Sequence, residues 1–67
     1  MKGNKLIREQ RLNRNLTQKE LGELLGYKGE SRQTRISSWE SGKRQVPRRK
    51  IKELAKLLGI PAEKLIQ

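Results

Sequence analysis

Apolar side chains recur three and four positions apart along this 67-residue chain, in short groups separated by glycine, proline and polar residues. Such spacing places the apolar groups on one face of an α-helix, and no segment alternates as a half-buried strand would. The pattern predicts an all-α fold in a single domain, residues 1–67. The predicted helices cover about residues 4–13, 17–25, 32–40 and 48–58, with a short terminal turn after Pro61. The side chains expected in the core are Leu6, Ile7, Leu12, Leu21, Leu24, Leu25, Ile36, Trp39, Ile51, Leu54, Ala55 and Leu58.

The start of the second helix is the best-defined local feature. Thr17 and Glu20 stand three apart, as in a capping box where each side chain accepts the other's backbone N–H. Asn15 is suited to ending the first helix, because asparagine tolerates the left-handed conformation. Gly22 lies inside the second helix, where glycine costs roughly 1 kcal/mol relative to alanine. We therefore expect a neighbouring helix to pass too close to Gly22 for a side chain.

The third predicted helix is polar on most of its surface. Only Ile36 and Trp39 are apolar, and they stand three residues apart. A helix of this kind packs on the core along one stripe and displays its other faces.

The chain is strongly basic, with 17 Lys and Arg against seven acids and a net charge of +10. Such an excess costs self-repulsion that a polyanion would relieve, and nucleic acid or an acidic membrane surface is the candidate partner. A basic surface that serves only solubility is the alternative. Six basic residues and no acid fall within residues 43–52. Arg48, Arg49 and Lys50 open the fourth helix, where cations oppose the helix dipole, so we expect them to contact phosphate.

Composition argues against several other classes. No apolar run approaches the length of a membrane span, and no apolar segment of a secretory signal follows Met1. Without Cys or His there is no disulfide, thiolate zinc site or imidazole base, and the glutamates are scattered. The expectation is a cytoplasmic protein that is not an enzyme and has no cofactor, metal or small-molecule substrate. A single-strand or RNA binder would need stacking aromatics, and only Tyr27 and Trp39 are present.

Two short helices joined by a glycine-containing turn, the second polar outward, are typical of a helix-turn-helix. Four segments carry a closer likeness: residues 16–22 (LTQKELG), 25–26 (LG), 36–43 (ISSWESGK) and 54–60 (LAKLLGI). Together they resemble the lambda-repressor, Cro and XRE helix-turn-helix family. The resemblance implies a lambda-repressor-like domain of five short helices. It also implies a transcriptional regulator that binds double-stranded DNA as a homodimer on a near-palindromic operator.

The resemblance also implies roles for individual residues. Gln18 matches a glutamine that binds phosphate and braces the recognition helix, and Arg48 matches an arginine that lies along the minor groove. Arg11 and Glu40 match a structural ion pair between the first and third helices. The expected base contacts are Gln33, Thr34, Ser37 and Ser38. The expected phosphate or minor-groove contacts are Gln18, Arg35, Lys43, Arg44, Arg48 and Arg49.

The chain departs from the family pattern by about four extra residues, 28–31. These either lengthen the turn, with Ser31 as N-cap of the third helix, or add a turn to that helix and bring Arg32 into the base-reading set. We expect the longer turn. Leu65 and Ile66 are expected at a two-fold contact. An antitoxin or restriction-controller protein of the same fold, whose main partner is another protein, remains the alternative function.

Overall fold

Four α-helices and one 3-10 turn follow one another along the chain. The computed structural model describes the backbone of residues 2–65 and the side chains of residues 5–65. The elements are α1 (Lys2–Asn13), α2 (Gln18–Leu24), α3 (Ser31–Ser41), α4 (Arg48–Leu58) and a 3-10 turn (Ala62–Lys64). Residues 2–65 contain no strand, so the all-α prediction is confirmed. Five helices were expected and that count is wrong, because the segment after Pro61 forms only the three-residue 3-10 turn.

One apolar core joins all of these elements. Trp39 is its largest side chain and is 2% exposed. Leu65 packs into this core from the end of the 3-10 turn, so it is not available for the two-fold contact expected of it. Ile66 lies outside the described residues. No helix within the described residues is long and apolar enough to cross a membrane. The buried apolar side chains are Ile7, Leu21, Leu25, Ile36, Trp39, Ile51, Leu54, Leu58, Ile60 and Leu65.

Two leucines expected in the core are exposed. Leu12 is 54% and Leu24 56% exposed. The buried face of α1 runs through Ile7 and Arg11, four residues apart, and Leu12 is turned about 100° from Arg11. The buried face of α2 runs through Leu21 and continues to Leu25, which leaves Leu24 on the outside.

The junction of α1 and α2 follows the sequence signals. Asn15 has φ 56°, the left-handed conformation expected of it. The Thr17 hydroxyl accepts the Glu20 backbone N–H at 3.0 Å, and the Glu20 carboxylate accepts the Thr17 N–H at 2.8 Å. The capping box is therefore confirmed, and it fixes the first residue of α2 at Gln18.

Of the four extra residues, 28–30 lie in the turn between α2 and α3, so the turn is longer, as expected. Ser31 is the first residue of α3 and not its N-cap, so that expectation was wrong. The N-cap is Glu30, which already has helical backbone angles and whose carbonyl accepts the Thr34 N–H at 3.1 Å. Gly29, with φ +62°, makes the reversal before it. A Cβ added to Gly22 would lie 2.6 Å from the Arg32 Cα and carbonyl carbon, so the predicted close approach is confirmed.

Candidate nucleic-acid interface

The outer face of α3 presents short polar side chains to solvent. Gln33, Thr34 and Ser37 are exposed, and Ser38 is half-buried. On the opposite side of the helix Ile36 and Trp39 are 0% and 2% exposed. This stripe fixes the rotation of α3 about its axis, and the rotation determines which side chains face outward.

The four base-reading candidates are brought together. Gln33, Thr34, Ser37 and Ser38 line one shallow concavity, which Lys43 borders. Lys43 is exposed in the loop after Gly42, where the left-handed Gly42 ends α3. The structure thus places a patch of hydrogen-bonding groups beside a cation from the following loop.

Cations flank this patch on two sides. Arg35, Lys43 and Arg44 line a concavity that also contains Thr34 and Ser38. Across the helix, Lys19 shares a concavity with Gln33. Arg8 of α1 lies with Ser37 in another. Arg8 and Lys19 were not singled out from the sequence, because nothing in their spacing relates α1 or α2 to α3.

A hydrogen-bonded network joins α1, α2 and the end of α3. Arg11 donates to Glu40 through Nε at 2.7 Å and Nη2 at 3.2 Å, and the two side chains are 9% and 6% exposed. The Gln18 amide donates to the same carboxylate at 3.1 Å, and Arg11 Nη1 donates to the Leu16 carbonyl at 2.8 Å. The structure therefore brings Arg11 and Glu40 together, and Gln18 braces α3 through Glu40.

Tyr27 connects the turn to α3 and α4. Its ring packs edge-on to Trp39, with 6.0 Å between centroids and 65° between planes. The Arg35 guanidinium lies 5.5 Å and the Lys50 ammonium 5.1 Å from the Tyr27 centroid, distances that give cation–π attraction. This contact links Arg35 to the long turn.

Lys50 has a role inside the fold that the sequence did not indicate. Its Nζ donates to the Leu25 carbonyl at 2.6 Å, at the C-terminus of α2, and lies 3.4 Å from Glu53 Oε2. Because the exposed carbonyls of a helix end attract cations, this contact stabilises α2. Of the three cations that open α4, Arg48 and Arg49 are exposed and remain on the outer surface.

Residues 5–65 bring together no cluster of three or more acidic, histidine or cysteine side chains that could hold a metal ion.

The sequence matches the family model described as helix-turn-helix over residues 7–65, which takes in α2, the long turn and α3. Neither the curated proteins nor the solved structures gave a match to the chain. Because the family match spans most of its length, the chain belongs to the helix-turn-helix family of Cro/C1 type, the XRE family of DNA-binding domains.

Proposed function

We propose that the protein is a sequence-specific transcriptional regulator of the repressor or Cro kind, not an enzyme, that binds double-stranded DNA with α3 in the major groove. The observation that carries the proposal is the polar outer face of α3 beside the cations of the following loop. An α-helix is about 10–12 Å wide with its side chains, and the major groove of B-DNA is about 12 Å wide. The proposed regulator acts in the cytoplasm.

The residue roles follow from what each group can donate and accept. Gln33 pairs with adenine N6 and N7. The hydroxyls of α3 can contact either a donor or an acceptor on a base edge. Gln18 uses one amide N–H on Glu40, and its second N–H is available for a phosphate. The proposed base contacts are Gln33, Thr34, Ser37 and Ser38. The proposed phosphate or minor-groove contacts are Arg8, Gln18, Lys19, Arg35, Lys43, Arg44, Arg48 and Arg49.

Gln33→Ala is expected to abolish the preference at one base pair of each half-site, at a cost of about 1–3 kcal/mol on the preferred operator. Affinity for random duplex should hardly change, because phosphate contacts supply it. The measurement is selection from a random duplex pool, followed by titration of the selected and scrambled duplexes. Gln10→Ala on α1 is the control. An equal loss on every duplex would make Gln33 a phosphate contact.

Changing Arg48 and Arg49 together to glutamine is expected to flatten the salt dependence of binding. Each lost phosphate contact makes the slope of log K against log salt less negative by about 0.9. Lys50 is left intact because it holds the end of α2. The matched control is Lys56→Gln with Lys64→Gln, two exposed lysines of equal charge further along the chain. An unchanged slope in the Arg48 and Arg49 variant would remove both residues from the DNA contact.

We further propose a homodimer on a near-palindromic operator, with half-sites about 34–36 Å apart. Because Leu65 is buried in its own chain, the dimer contact must involve other residues. Palindromic sequences in the random-duplex selection would support the dimer. The alternative function, an antitoxin or restriction-controller protein, would need a surface that binds another protein. The exposed Leu12 and Leu24 do not indicate such a surface, because they lie on different helices and single exposed leucines are ordinary.

A further inference from the structure

We propose that Glu30 is a specificity-determining residue that reads a cytosine at the base pair next to the one read by Gln33. The proposal rests on the proposed function, because it requires α3 to lie in the major groove. Glu30 belongs to the long turn that sets this chain apart from its family. The longer turn therefore adds a base-reading residue to the start of α3.

The geometry places Glu30 in line with the residues that face outward from α3. Its backbone angles, φ −67° and ψ −21°, are helical, and its carbonyl accepts the Thr34 N–H, so it occupies the turn of helix before Thr34. Residues three and four apart share a helix face, which places Glu30 with Gln33 and Thr34. Glu30 is exposed and lines a concavity together with both of them.

The charges around Glu30 leave its carboxylate available. Within residues 5–65 the acids that form ion pairs are Glu23, Glu40 and Glu53, and Glu20 is used in the capping box. Glu30 joins none of these ion pairs, although it shares concavities with several cations. These cations are Lys19, Arg32, Arg35, Lys43 and Arg44. The position suits an acid in the free protein, because the N-terminus of a helix favours negative charge.

On DNA, the same carboxylate selects against most bases. It repels the phosphates and also the acceptors N7 and O6 of guanine and O4 of thymine. Cytosine presents the N4 amino donor, whereas adenine places the N7 acceptor beside its N6 donor. Cytosine is therefore the base from which a carboxylate best accepts a hydrogen bond. Three residues of helix advance about 4.5 Å, close to one base-pair step of about 3.4 Å, which makes the Glu30 base pair adjacent to that of Gln33.

The test is selection from a random duplex pool with the full chain and with Glu30→Gln. The unaltered protein should select cytosine next to the base pair whose preference Gln33→Ala abolishes, with roughly tenfold discrimination. Glu30→Gln should lose that cytosine and favour adenine there, because glutamine pairs with N6 and N7. The control is Glu63→Gln, a matched charge change in the exposed 3-10 turn, which should select the original sequence.

Two outcomes would overturn the proposal. In one, Glu30→Gln selects the original sequence and binds every duplex more tightly, so that Glu30 acts only by repelling phosphate. In the other, its thermal midpoint falls while the selected sequence stays the same, so that Glu30 serves only the start of α3. If the unaltered protein selects no sequence at all, the proposed function itself fails, and that result is distinguishable from both.

Discussion

Replacing Arg11 by methionine is expected to lower the free energy of unfolding by about 3–5 kcal/mol, because it leaves the Glu40 carboxylate buried without its cation. The whole stability of a domain of this size is roughly 3–10 kcal/mol, so the variant should be partly unfolded at room temperature. The measurement is thermal or urea unfolding followed by circular dichroism. Arg8→Met, one turn earlier on α1 and exposed, is the matched control and should change little.

The joint change Arg11→Met with Glu40→Leu should recover much of this loss, since no charge then remains buried. Recovery should be incomplete, because the Leu16 carbonyl and the Gln18 amide lose their partners in the network. The two single changes and the double change form a double-mutant cycle. Additive effects without recovery would show that the pair makes no energetic contribution beyond the separate residues.

Gly22→Ala is expected to destabilise the protein by about 1–3 kcal/mol, the usual range for an overpacked interior. Alanine is the better helix former by roughly 1 kcal/mol, so intrinsic propensity alone predicts the opposite sign. The added methyl meets the Arg32 backbone, which is not a movable side-chain end, and α3 must shift to admit it. The measurement is chemical unfolding, with Lys19→Ala at an exposed position of α2 as control. A stabilised Gly22→Ala variant would show that α3 can shift away from α2 at little energetic cost.

The sequence predicted the features that depend on local chemistry. Thr17 and Glu20 form the expected capping box, Asn15 adopts the left-handed conformation, and Gly22 faces the backbone of α3. Each of these signals depends on a few adjacent residues or on one residue type with a narrow conformational use. The apolar stripe of α3 was equally clear, because Ile36 and Trp39 have no apolar neighbours that compete for the core.

Features that depend on distant partners could not be predicted from the sequence. Lys50 binds the Leu25 carbonyl, 25 residues away in the sequence. The sequence near the start of α4 shows only a cation at the end of the helix dipole where cations are unfavourable. Leu12 and Leu24 fit a helical pattern but fall just outside the buried faces, which packing against other helices defines. Ser31 is a good capping residue by type, yet Glu30 precedes it already in helical conformation. The base-reading roles also depend on a partner, DNA, and stay predictions.

The Lys50 contact bears on whether the helix-turn-helix is an autonomous unit. With seven residues, α2 is too short to persist alone in water, since isolated helices below about 12–15 residues are marginal. Arg11 of α1 holds the chain before its first residue, and Lys50 of α4 holds the carbonyl at its end. A peptide excised as residues 17–42 would lack both supports. In the motif that gives the family its name, both ends of α2 are thus held by the two helices outside it.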